Sequence, residues 1–144
     1  MPFVKIWLHC AWSIKNSSCL IPPNFRPAML RHFRDDAADK KIVLDTINAR
    51  EDHVHALIDL GKPQNLSTIM QYLKGESAFW INSQKILPCH FSWQDDYFAV
   101  SVSHSQIDRV REYIRNQDVY HQHMGWEQES DLFMKKYGFE QLKG

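Results

Sequence analysis

The sequence has no surplus of charge of either sign. Seventeen Lys and Arg offset seventeen Asp and Glu, for a formal net charge of zero. That balance argues against a globally basic nucleic-acid binder or a polybasic membrane-surface protein, and any anion-binding surface must be a local patch. Cysteine is also scarce. Cys10, Cys19 and Cys89 form no Cys-x-x-Cys pair and are odd in number, which argues against a disulfide framework and suits reduced thiols in a cytoplasm. No apolar run approaches the roughly 20 residues that span a bilayer, so no membrane partner is expected. The apolar stretch Phe3 to Ile14 is short and interrupted by Lys5 and His9, and reads as a strand rather than a signal sequence. There is no internal repeat, low-complexity tract or linker. With 44% apolar and 24% charged residues, the chain reads as one globular domain over 1–144, long enough to bury a core without structural staples.

Along the chain, Val4, Ile6, Leu8, Cys10, Trp12 and Ile14 alternate with polar residues, the period of a strand with one buried face. A loop through Pro22-Pro23 leads to a helix from Phe25 to about Asp39, with Arg26, Arg31 and Arg34 among its exposed positions. Ile42 to Ile47 and His53 to Leu60 read as two strands joined by the turn chemistry of Asn48 to Asp52, most simply an antiparallel hairpin. Leu66, Ile69, Met70 and Leu73 mark an amphipathic helix running past Gly75 to Ile81. Phe91 to Trp93 and Tyr97 to Val102 read as strand segments. A helix then opens near Ser105 and runs to about His123, with Ile107, Val110 and Ile114 as its core stripe, and a short helix from Ser130 to Tyr137 closes the pattern. This order predicts an α+β fold with helices on one face of a mostly antiparallel sheet and the other face available to a ligand.

Two stretches carry chemistry. His53 and His55 flank one apolar residue on a strand, so both imidazoles share a face about 6.6 to 6.8 Å apart along the chain, while Val54, Ala56, Ile58 and Leu60 fill the opposite one. That is a metal-ligand spacing as well as a strand pattern. On the late helix, Arg109, Tyr113, Gln117 and Tyr120 form a polar stripe apart from the core stripe. Trp80 and Trp93 read as core aromatics, and His9 has no spacing that singles it out.

In order, Trp12-Ser13-Ile14-Lys15, Asp52-His53-Val54-His55, Leu73-Lys74-Gly75 with Trp80-Ile81-Asn82, Phe91-Ser92-Trp93-Gln94, Ser101-Val102-Ser103 and Tyr113-Ile114-Arg115-Asn116-Gln117 run nearly the whole chain. Together they resemble the single-tyrosine HUH transposases of small bacterial insertion sequences and their REP-associated relatives. The resemblance implies a ferredoxin-like or RRM-like fold, a homodimer, and a divalent-metal enzyme of the bacterial cytosol that cuts and rejoins single-stranded DNA at hairpin-marked ends. It assigns His53, His55 and Gln117 as metal ligands and Tyr113 as the nucleophile. In many members the histidines of one subunit work with the tyrosine helix of the other.

Those roles make chemical sense. A phenol with a pKa near 10 is a poor nucleophile at neutral pH, and a bound Mg²⁺ or Mn²⁺ would polarise the scissile phosphate. Two imidazoles and one amide suit Mn²⁺ better than Mg²⁺, which prefers oxygen ligands; His121 is an alternative third ligand. Arg109, Lys74, Arg31 and Arg34 are the candidate DNA contacts, with the acidic pairs Asp35-Asp36 and Asp95-Asp96 expected away from the DNA path. Two competing readings remain: a metal-dependent phosphodiester hydrolase using water, and a non-catalytic relative that binds hairpin DNA.

Overall fold

Alternation, capping and turn chemistry place the elements, and the computed structural model describes residues 3–61, 63–117 and 125–138. Strand β1 (Ile6–Ser13) is followed by α1 (Arg26–Asp39), β2 (Val43–Ala49), β3 (His53–Leu60), α2 (Leu66–Ser83) and β4 (Phe98–Val102). After a 3-10 turn come α3 (Ile107–Arg115) and α4 (Trp126–Lys136). Pro27 sits in the first turn of α1, where its missing N–H costs nothing. The Asn65 side chain accepts from the Thr68 N–H at 2.9 Å and caps α2. A Cβ at Gly75 would meet nothing within 4 Å, and α2 runs through that position.

The sheet has the order β2-β3-β1-β4, and all three pairings are antiparallel. With its βαββαβ order this is the ferredoxin-like arrangement. On one face, Cys10, Trp12, Val54, Ala56 and Ile58 pack against Met29, Phe33 and Ala37 of α1 and Ile69, Met70 and Leu73 of α2. Trp93 belongs to this core, edge-on to Trp12 and donating its indole N–H to Ser77 Oγ at 2.9 Å. Trp80 is half-buried, stacked between Phe25 and His32.

The opposite face departs from the sequence reading, because it is not left open. Leu57 of β3 packs with Ile107 and Ile114 of α3, and α4 lays Trp126 and Phe133 beside Phe98 of β4. Helix α4 also starts earlier than expected. Gly125 adopts the extended N-cap conformation, and Glu127 and Glu129 fall in the first turn, where acidic groups favour the helix N-terminus. Tyr120, His121 and His123 lie outside the described residues.

The cysteine reading is corrected as well. Cys19 and Cys89 form a disulfide across a sequence separation of 70, tying the loop before α1 to the loop after α2, and Cys10 is free and buried. Spacing along the chain could not reveal this, since the pairing depends on two loops meeting at the same end of the α1–α2 layer. A cross-link of this span is worth about 2–4 kcal/mol, so full reduction should lower Tm by roughly 5–15 °C. Thiol titration of the denatured, unreduced protein should find one thiol per chain; three would overturn the pairing.

Candidate active site

Alternation on β3 places His53, His55 and Leu57 on the sheet face away from α1 and α2, as the spacing predicts. Both imidazoles are nevertheless fully buried, because α4 covers them. Trp126 stacks on His53 with ring centroids 4.5 Å apart and meets His55 edge-on at 6.0 Å. The α4 carboxylate of Glu129, itself 3% exposed, spans the pair: Oε1 is 2.8 Å from His55 Nε2, and Oε2 is 3.2 Å from His53 Nε2.

Each histidine is oriented from behind. His53 Nδ1 donates to Asp52 Oδ1 at 2.7 Å, which turns Nε2 toward Glu129. His55 Nδ1 lies 2.9 Å from Nε2 of His9, its neighbour on β1. Burial dominates at His9, aided by repulsion from His55, and pushes its pKa down to about 3, so this ring stays neutral. At His53 burial alone would lower the pKa, but the hydrogen bonds and charges of Asp52 and Glu129 outweigh it and raise the value. Partners on Nδ1 that fix ring orientation are the usual support of metal-bound histidines.

Helix α3 brings the tyrosine to the same point. The Tyr113 hydroxyl donates to Glu129 Oε1, and its ring meets His55 edge-on at 5.5 Å and His9 at 5.9 Å. Gln117, fully buried, places Oε1 3.4 Å from His53 Nε2 while its amide donates to the Tyr113 carbonyl at 3.2 Å. Besides the Leu57 packing, the helix is fastened to its own sheet by polar contacts at two places. Arg111 pairs with both oxygens of Asp45 on β2, at 2.8 and 2.7 Å, and that pair holds the Asp45 carboxyl below its usual range. Asn48 Nδ2 donates to the Ile114 and Arg115 carbonyls at 2.9 and 3.2 Å, satisfying the open C-terminal end of α3.

The family description "Transposase IS200 like" matches residues 3–117. The chain belongs to the IS200-like transposase family. Two solved structures share its fold. A candidate transposase from Deinococcus radiodurans R1 aligns with TM-score 0.63 and 21% identity over 81% of this chain and 93% of that one. A REP-associated tyrosine transposase bound to a REP hairpin aligns with TM-score 0.61 and 14% identity over 84% of this chain and 72% of that one. No curated protein gives a significant match.

In this IS200-like transposase the buried donors fit a small cation. The ligand atoms of His53, His55 and Glu129 lie within 4.8 Å of one another. Around an ion with ligands at about 2.0–2.2 Å, adjacent donors at right angles stand about 3 Å apart. The separations of 2.8, 3.2 and 3.4 Å are already close to that. A cation held at His53 Nε2 would compete there with a proton. Without metal, protonated His53 contributes stability that is fully present below its unfolded pKa near 6.5, and this is lost as pH rises through the raised folded value. Mn²⁺ affinity should therefore fall as pH drops through that range, by up to about tenfold per unit, with proton release on binding. Calorimetry across pH checks this, and a flat profile would sink it.

Beside Tyr113, a cleft of about 870 Å³ opens between β4, α3 and α4, with His9, Gln106, Arg109, Glu129 and Lys136 among its walls. Arg109 thus shares the tyrosine's surface, as its helical spacing predicts. Lys74 does not point into free solvent. Its ammonium donates to the carbonyls of Asp95 and Asp96 at 3.0 and 3.3 Å, so the lysine and the acidic turn occupy one surface. Arg31 and Arg34 are exposed on α1, on the far side of the sheet from the histidines.

Three participants escape the sequence reading. His9 carried a usable signal, since it occupies the odd-numbered face of β1 and that face is shared with His55 across the ladder. Asp52, although part of the quoted motif, had no role until its carboxylate met Nδ1 of His53. Glu129 offered none, because its position depends on how α4 docks.

Proposed function

We propose that this transposase cuts and rejoins single-stranded DNA at hairpin-marked ends through a 5′-phosphotyrosine intermediate on Tyr113, with a divalent cation, Mg²⁺ or Mn²⁺, held by His53, His55 and Gln117. One observation carries the reading: the Tyr113 hydroxyl and the Nε2 atoms of both histidines converge on one buried point where the cleft meets the sheet. A cation held by these residues would supply Lewis-acid polarisation of the scissile phosphate. Asp52 and His9 hold the imidazoles in place. Arg109 on the cleft wall offers a cation to the strand's phosphates.

Tyr113, its hydroxyl proton directed at Glu129, attacks phosphorus in line. The new bond joins the phenolic oxygen to phosphorus as its proton passes to Glu129, the P–O3′ bond breaks, and the departing oxygen takes a proton from solvent to become the 3′-hydroxyl. Because the ester conserves the bond, a second 3′-hydroxyl can reverse the step and join strands without an external energy source. The similar structure of a tyrosine transposase on a REP hairpin supports a hairpin as partner. These groups converge within one chain, so in the homodimer that the resemblance implies both sites would be complete in cis. No described helix is long and apolar enough to cross a membrane.

The test is an SDS-resistant adduct. The protein is incubated with single-stranded oligonucleotides from the flanks of its gene, with Mn²⁺ or with EDTA. A metal-dependent covalent adduct supports the reading. Cleavage without an adduct would replace it with the hydrolase, and binding with neither would favour a non-catalytic hairpin binder.

A further inference from the structure

The ligand set of two imidazoles and one amide leaves an electrostatic difficulty. It brings no negative charge to a dication, while a carboxylate sits against both Nε2 atoms. Glu129 is 3% exposed, faces His53 and His55 at 3.2 and 2.8 Å, and borders the cleft by which a phosphate would reach Tyr113. A buried carboxylate there with no cation on it would repel the substrate. Bound to one, it is neutralised and adds the oxygen ligand that Mg²⁺ and Mn²⁺ favour.

We propose that Glu129 is itself a protein ligand of the divalent cation. The centre then gains a carboxylate beside His53, His55 and Gln117, supplied by α4, an element outside the residues 3–117 that the family description matches. Two further observations fit a ligand rather than a surface acid. The spacings to both imidazoles match those between neighbouring ligands around one ion, and Trp126, three residues earlier on α4, stacks on His53 and keeps the helix seated. The same carboxylate accepts from Tyr113, so the ligand would also hold the nucleophile beside the cation. The idea rests on the metal-assisted reading above.

The experiment is Mn²⁺ titration by calorimetry without DNA, on the full chain and its Glu129→Gln, Glu129→Asp and His55→Ala variants, each checked for folding by thermal melt. Glu129→Gln keeps the shape and removes the charge. It should weaken Mn²⁺ binding on the order of 10- to 100-fold or more, with Glu129→Asp intermediate, and Mn²⁺ should raise Tm less in the Gln variant than in the parent. Unchanged or tighter binding in Glu129→Gln, with His55→Ala losing it, would overturn the carboxylate ligand and leave the histidine centre standing. Equal binding in all four proteins would instead remove the metal reading of the site. Should Glu129→Gln melt below the titration temperature, Glu129→Asp decides alone, and parent-like affinity there, with the shorter side chain unable to span both imidazoles, would count against the proposal.

Discussion

Tyr113→Phe should eliminate the covalent protein–DNA adduct and lower strand cleavage by roughly 10⁴-fold or more, with Mn²⁺ affinity within about twofold of the parent. The separation follows from geometry. The substitution removes one oxygen and retains the ring, so the edge contacts to His55, His9 and Phe133 persist. What is lost is the nucleophile and one hydrogen bond to Glu129. Losing a partner of a buried charged acceptor costs about 1–3 kcal/mol, which affects melting but not the histidines' hold on a cation. Adduct yield on SDS gels, cleavage rate and calorimetry read the three quantities separately. Cleavage that survived at more than about a tenth of the parental rate would mean that water, not the phenol, attacks phosphorus.

The parts of this site that sequence made legible are those set by local periodicity. His53 and His55 share a face because β3 alternates, and Gln117, two residues past the end of α3, stays beside Tyr113 by donating its amide to the Tyr113 carbonyl. The ferredoxin-like order likewise followed from strand and helix patterns together with the family resemblance. What stayed hidden depends on docking. The burial of the imidazoles follows from α4 folding back over the sheet, and neither Trp126 nor Glu129 has a spacing that relates it to residues 53–55. The Cys19–Cys89 bond and the seat of Lys74 on the Asp95–Asp96 turn are of the same kind, each a meeting of two loops or a loop and a helix distant in sequence. Arg109 was legible by contrast because it lies one turn from Tyr113 on the same helix.

Mixing Tyr113→Phe protein with His55→Ala protein should restore no adduct above that of either alone. If the tyrosine of one subunit served the histidines of the other, a randomly assembled mixture would recover about a quarter of the parental sites, since heterodimers pair one intact tyrosine with one intact histidine set. Within the single chain, α3 is attached to its own sheet at three places. Leu57 packs with Ile107 and Ile114, Asp45 grips Arg111 through both oxygens, and Asn48, opposite His55 in the β2–β3 ladder, holds the last carbonyls of the helix. For a tyrosine to act in trans, α3 would have to give up all three and repeat them on a partner. Asn48→Ala should test the tightest link between tyrosine and metal centre. Freeing two carbonyls to water costs about 1 kcal/mol of stability, yet the loss of register between Tyr113 and His55 should reduce adduct formation on the order of 10²-fold with Mn²⁺ affinity preserved. A mixture that recovers activity, together with an Asn48→Ala protein as active as the parent, would show that α3 does not deliver its tyrosine to the sheet on which it rests.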